Sequence, residues 1–346
     1  MTGKTKEKIY LKWLDAAKGI AILAVLVDHL GGILYSNTMI SVCSYFSVTV
    51  FVFLAGITSY YSSERHKEDD SKNEIIRKVK GIFIPYIIAT GVYQVVINRR
   101  FDLFDCLSHI IKFNSTPPFY FVVFYIQLMI ISPYIYRLIN HWKTKIAHGI
   151  ILVLTIIISI ICIRYTFILD VWGGGKYLFG GSYLFVFLLG EMSAHYGLPL
   201  QKKRNVVKTI MAVGAVIICM IWLGLYRFKL DNIIKEPFGE GVNPPGVTLM
   251  LYGGCIVIAL QYIFSYIEIS KSIVLRVIYD NLSFIGNYSL YIFLYHKVVL
   301  DYFLIRINIS NVWMKRVIYI VAMIGIPILI KKVVDKIYMQ MKEVKI

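Results

Sequence analysis

The chain is 346 residues long, 58% of them hydrophobic and 16% charged, with a mean hydropathy of +0.67. So little polar surface cannot cover a water-soluble globule of this size, which excludes the soluble class. The formal charge of +17 does not point to nucleic acid either, because the basic residues are divided among short segments between apolar runs, as in loops that face an anionic lipid surface.

Ten apolar runs follow one another: 14–34, 44–61, 81–97, 119–139, 146–163, 177–196, 206–226, 247–267, 282–303 and 312–334. Each approaches the about 20 residues that a helix needs to span a bilayer. None alternates apolar with polar residues as a membrane barrel strand does, so backbone hydrogen bonds must be closed within helices. The expectation is an all-α integral membrane protein of ten transmembrane helices. It forms one polytopic domain over 1–346, with short tails at 1–13 and 335–346. Lysine and arginine are in excess in both tails and in alternate loops, including Arg65, Lys67, Lys72, Arg77, Lys78 and Lys80, whereas 35–43 has none. Both termini are therefore expected in the cytoplasm. The first run is too long and too charged for a cleavable signal peptide. The segments 98–118 and 227–246 read as ordinary loops, marked by Pro117-Pro118 and by Asn243-Pro244-Pro245-Gly246.

The five cysteines, Cys43, Cys106, Cys162, Cys219 and Cys255, form no C-x-x-C pair and have no histidine at ligand spacing, so neither a metal nor a redox site is expected. The densest polar set lies instead in the first run: Asp15, Lys18, Asp28 and His29. Ionisable groups at membrane depth are expensive and point to function. Lys18 and His29 are eleven positions apart, about 20° around a helix and about 16 Å along it. With Asp15 they make one polar stripe, while Asp28 points elsewhere. The bland reading is a snorkelling Asp15–Lys18 pair and a wetted helix end at His29.

The stretch from Leu14 through Asp15, Lys18 and Gly19 to His29 resembles the first span of the acyltransferase-3 family, in which a basic residue precedes histidine by eleven positions. Further similarities follow in order. Phe51–Gly56 resembles the family's second span, and Arg77-Lys78-Val79-Lys80 with Ile84-Pro85-Tyr86 resembles its R-x-x-R site and the proline after it. Phe119-Tyr120-Phe121 resembles its aromatic pattern, Leu188-Leu189-Gly190 its sixth span, and Ser289-Leu290-Tyr291 with Tyr295-His296 its late motifs. Lys18 stands where arginine is commoner, Lys80 replaces the second arginine and Tyr120 a tryptophan.

The resemblance implies transfer of an acyl group, usually acetyl, from cytoplasmic acetyl-CoA or another acyl-CoA to a hydroxyl of a polysaccharide, glycan or lipid-linked envelope acceptor. It implies a co-substrate and no permanently bound cofactor, and a place in the plasma membrane of a bacterial cell. His29 is then the expected base or acyl carrier, with Asp15 and Lys18 beside it. Arg77, Lys80 and Lys18 are the expected contacts to donor phosphates, since Arg77 and Lys80 lie three apart on a helical approach to the third span. The bland reading of that cluster is positive-inside anchoring. Glu191 is expected to pair with a basic residue such as Lys18 or to sit at the interface. Tyr120, Ser289 and His296 are supporting candidates, His296 otherwise making a structural bond to a neighbouring helix. The partners are the bilayer, acyl-CoA, the glycan or lipid-linked acceptor and a second copy in a homo-oligomer. A transporter or flippase for a glycan or lipid intermediate is the rival from another class, although no repeat with matching broken helices supports it.

Overall fold

The computed structural model describes residues 10–31, 35, 38–65, 71–97, 99–164, 175–201, 205–225, 244–304, 306–307 and 309–343. Among them there is no β-strand, only one isolated bridge between Gly31 and Tyr35. The helices, in chain order, are α1 (Lys12–His29), α2 (Thr38–Ser44), α3 (Ser47–Arg65), α4 (Ser71–Ile97), α5 (Leu103–Lys112), α6 (Tyr120–His141), α7 (Lys145–Arg164), α8 (Tyr183–His195), α9 (Val206–Leu225), α10 (Val247–Ile267), α11 (Ile273–Asn287), α12 (Ser289–Val298) and α13 (Val312–Glu343). A π-helical turn, Val299–Leu304, continues α12.

Each predicted run coincides with helix over most of its described residues, and seven stretches among those residues are long and apolar enough to cross a membrane: Ile40–Arg65, Lys72–Ile97, Pro117–His141, Lys145–Ile163, Val206–Leu225, Val247–Ile267 and Val312–Ile337. The other three runs differ from a plain apolar helix, each for its own reason. The helix α1 carries four charged residues, α8 has only 13 residues, and the run 282–303 breaks at Tyr288 into α11 and α12. Much of the outer surface is apolar. On α7, for example, Ile150, Val153, Leu154, Ile157, Ile158 and Ile161 share one exposed face, while Ile151, Thr155 and Ser159 are buried opposite. That arrangement suits a lipid surround and would be unstable in water. The chain is a multi-pass membrane protein.

Segment 98–118 is not an ordinary loop, as expected from its prolines, because α5 lies within it. Asp102 caps α5 by accepting hydrogen bonds from the Phe104 and Asp105 amides at 2.8 and 3.1 Å, and Phe113 ends it in the left-handed region. Three turns were too few for the apolar stripe of Leu103, Phe104, Leu107 and Ile111 to stand out. Of the other expected loop, 227–243 lies outside the described residues, as do Lys67 and residues 1–9 of the first tail. At the far end, α13 runs on through most of the tail expected at 335–346.

Two helix crossings set the interior. At Gly19 on α1 an added Cβ would overlap the Leu282 carbonyl oxygen of α11, and at Gly286 on α11 it would overlap the Asp15 carbonyl oxygen of α1. The same reciprocal arrangement joins α3 and α8, where Gly56 meets the Phe187 carbonyl and Gly190 meets the Phe53 carbonyl. Without a hydrophobic drive between helices in lipid, such close backbone approach is the main source of helix association, and it demands the missing side chain. The Phe51–Gly56 and Leu188-Leu189-Gly190 motifs are thus two halves of one crossing.

Candidate active site

The first half of α1 is positioned by the α11 crossing. Trp13 adds an anchor by donating from Nε1 to the Pro199 carbonyl at 3.2 Å, and Lys12 pairs with Asp280 of α11. Asp15 is buried in this seam, 8% exposed, and accepts from Lys18 Nζ at 3.1 Å. The pair is thus real, but it is held inside the protein and does not snorkel at its edge. Asp15 orients Lys18, whose side chain is the more exposed of the two.

Lys18 lines a cavity of about 510 Å³ between α1, α3, α4, α6, α11 and α12. Its other polar lining includes Arg77, Lys78, Thr58, Ser59, Ser62, Asn287 and Ser289, while residues such as Ala55, Ile82, Phe121, Met129 and Phe293 supply apolar surface. The early start of α4 explains the basic residues. Arg77, Lys78, Gly81 and Ile82 form one helical face directed at the cavity, as positions i, i+1, i+4 and i+5 must. Lys80 lies off that face and is exposed, and it does not line the cavity. Lys78 takes that place, with its ammonium 2.7 Å from buried Glu74, which also accepts from Ser63 Oγ at 3.3 Å. Lys78 was passed over because the R-x-x-R spacing drew attention to positions 77 and 80.

His29 ends α1 far from Lys18, and there it stacks on His296 of α12, with ring centroids 4.8 Å apart and planes 19° from parallel. His296 is fully buried. Its Nδ1 lies 2.7 Å from the Phe293 carbonyl and 3.2 Å from the Ile292 carbonyl, so it must carry the ring hydrogen and donate it. Nε2 is then the bare nitrogen, and it has no hydrogen-bond partner among the described residues. His296 therefore bonds to its own helix and not, as expected, to a neighbouring one. Asp28 is not joined to His29 by any hydrogen bond among the described residues. The π-helical turn begins three residues after His296, and Lys297 at the end of α12 pairs with Asp301 of that turn at 3.0 Å. Such turns recur at functional sites.

The supporting candidates separate. Ser289 lines the cavity. Tyr120 stacks on Tyr177 at 5.1 Å in an aromatic cluster with Phe124 and Tyr183, outside the cavity. Glu191 is fully buried next to the α3–α8 crossing and accepts from Ser132 Oγ at 2.7 Å, so it neither meets Lys18 nor sits at an interface. A second polar cluster escaped the sequence reading: His148 donates from Nε2 to the Ile139 carbonyl at 3.0 Å and accepts at Nδ1 from the Tyr196 hydroxyl at 2.6 Å, and His195 Nδ1 lies 3.0 Å from the Tyr60 hydroxyl. These residues come from four helices, which no linear spacing reveals. The described residues contain no group of three or more His, Cys, Asp or Glu that could hold a metal, and the five cysteines are free, with Cys219 and Cys255 in contact at 3.9 Å.

The site thus combines a cavity lined by Lys18, Arg77 and Lys78 with a stacked histidine pair, of which His296 is fully buried and His29 partly exposed. A family model described as an acyltransferase domain matches residues 11–332. Comparison with curated proteins and with solved structures gives no match.

Proposed function

The chain belongs to the acyltransferase-3 family, and on that premise we propose that this membrane acyltransferase moves an acyl group, acetyl by our reading, from cytoplasmic acyl-CoA to a hydroxyl of an envelope glycan, polysaccharide or lipid-linked acceptor. The observation that carries the reading is the sequence of surfaces from the cavity inward. Lys18, Arg77, Lys78 and Phe293 line it, and the Phe293 ring is 5.9 Å from His296, which stacks on His29.

We further read the chain as ten passes, with the broken α11–α12 pair counting as one and both termini in the cytoplasm of a bacterial plasma membrane. The lysine and arginine excess supports this orientation. The cavity then opens to the cytoplasm, where the charged coenzyme must stay. Its phosphates meet Lys18, Arg77 and Lys78, and its pantetheine arm enters the apolar part.

His29 acts in one of two ways. As a base, it takes the acceptor hydroxyl's proton while that oxygen bonds to the acyl carbon, the C–S bond breaks, and the thiolate leaves to be protonated. As a carrier, its ring nitrogen bonds to the acyl carbon and the coenzyme thiolate departs. The acceptor oxygen then displaces the imidazole and gives up its proton. His296 positions His29 by stacking, its own ring held in one tautomer by two carbonyls. The rival transport reading loses ground because the matching family is one of acyl transfer. Deletion of the gene, followed by mass spectrometry of alkali-labile esters on wall polymers and secreted polysaccharides, tests the proposal: loss of an ester class is expected, and an unchanged ester profile with lost polymer export overturns it.

A further inference from the structure

We propose that Phe121 and Phe293 form a wall between the cavity and the histidine pair, which sets the size of acyl group the protein accepts and keeps bulk water from the reacting nitrogen; this rests on reading the cavity as the donor site. Both rings line the cavity, and each residue is 7% exposed. Their centroids are 4.9 Å apart, one ring coming from α6 and the other from α12. Neither His29 nor His296 lines the cavity. The ring contacts therefore run from the cavity through Phe293 to His296 and on to His29, with Phe121 packed against Phe293 on the cavity side.

The wall is stiff. Phe121 is held by rings on three further residues, with centroids at 5.1 Å to Phe124, 5.0 Å to Tyr125 and 6.4 Å to Phe51. Phe293 is tied into the site a second way, because its carbonyl is the nearer acceptor for His296 Nδ1. An acyl group moving from the cavity toward His296 along this line of contacts must pass Phe293, whose ring cannot yield without disturbing this cluster. Against a firm apolar boundary each added methylene changes a rate by about 10- to 200-fold. A thioester close to an imidazole is also open to hydrolysis, in which a water oxygen bonds to the acyl carbon, the C–S bond breaks, and the leaving thiolate takes a proton from that water. Aromatic closure between cavity and base suppresses that loss. If the two rings only filled space, their replacement would lower stability and affect short and long acyl groups alike.

The test uses the full chain in proteoliposomes, with initial thiol release measured from acetyl-CoA and from butyryl-CoA in the absence of acceptor. Phe293→Leu and Phe121→Leu keep an apolar side chain and leave the Phe293 carbonyl in place. Each variant reads the wall from a different helix, so one suffices if the other does not fold. The expected result is a butyryl-to-acetyl rate ratio about ten-fold or more above wild type, with faster acceptor-independent hydrolysis of acetyl-CoA. An unchanged ratio in a folded variant, with wild type consuming acetyl-CoA, overturns the wall and leaves the donor reading standing. A wild type that releases thiol from neither compound, even when membranes that supply the hydroxyl acceptor are added, overturns both.

Discussion

Arg77 and Lys80 are three residues apart in the sequence, yet only Arg77 lines the cavity. If the donor's phosphates bind there, Arg77→Gln should raise the apparent KM for acetyl-CoA by about ten-fold or more, the worth of a charge-assisted contact, while Lys80→Gln should stay near wild type. Equal effects from both would return Lys80 to the site. Lys78 is a poor choice for the same experiment, because it also pairs with buried Glu74, so its removal would disturb the packing as well as the cavity. His296→Gln should lower kcat by about 10²-fold with little change in KM, since a misplaced base costs rate more than binding. A raised KM at unchanged kcat would instead place His296 in donor binding. At this scale, much was legible from spacing on one helix, as with Asp15, Lys18 and His29. The stacking of His29 on His296 was not, because 267 residues separate them in sequence and only the fold brings them together. Glu191 was misplaced for a related reason: its partner, Ser132, gives no signal in an apolar run.

Helix positions were readable wherever an apolar run was long and uniform, as for α7, α9 and α10. The breaks were not, because hydropathy does not change where Asn287 and Tyr288 separate α11 from α12, and the helical start of α4 lies in a charged segment that hydropathy reads as loop. What the sequence did carry, without announcing it, is the glycine pattern of the crossings. Gly286→Ala should destabilise the protein by about 1–3 kcal/mol or more, the range for overpacking at a close contact, read as a lower midpoint of thermal unfolding in detergent. Gly214→Ala on α9, where an added Cβ meets nothing within 4 Å, is the control and should be neutral or slightly stabilising. Equal midpoints for the two variants would mean that the α1–α11 crossing can relax without loss. Gly190→Ala should behave like Gly286→Ala, since the α3–α8 crossing is built in the same way.

For the molecule as a whole, composition alone established the membrane class, and the order of motifs along 11–332 established the family, because both are properties of the chain's full length. Orientation is tested by labelling. In a cysteine-free background, Ser310→Cys should react with an impermeant thiol reagent added outside sealed cells, and Asn73→Cys should not; the opposite pattern would turn the cavity to the exterior. On the function proposed above, the histidine pair performs acyl transfer from a coenzyme thioester. The most direct measurement of it is a rapid-quench comparison of wild type and His29→Gln, reconstituted with acyl-labelled acetyl-CoA. Glutamine keeps a hydrogen bond but cannot take up a proton near neutral pH. The variant is expected to remain folded in the membrane and to consume the thioester about 10²- to 10⁴-fold more slowly than wild type. If it retains more than about a tenth of the wild-type rate, far above what loss of such a base allows, His29 is a structural residue and the chemistry lies elsewhere.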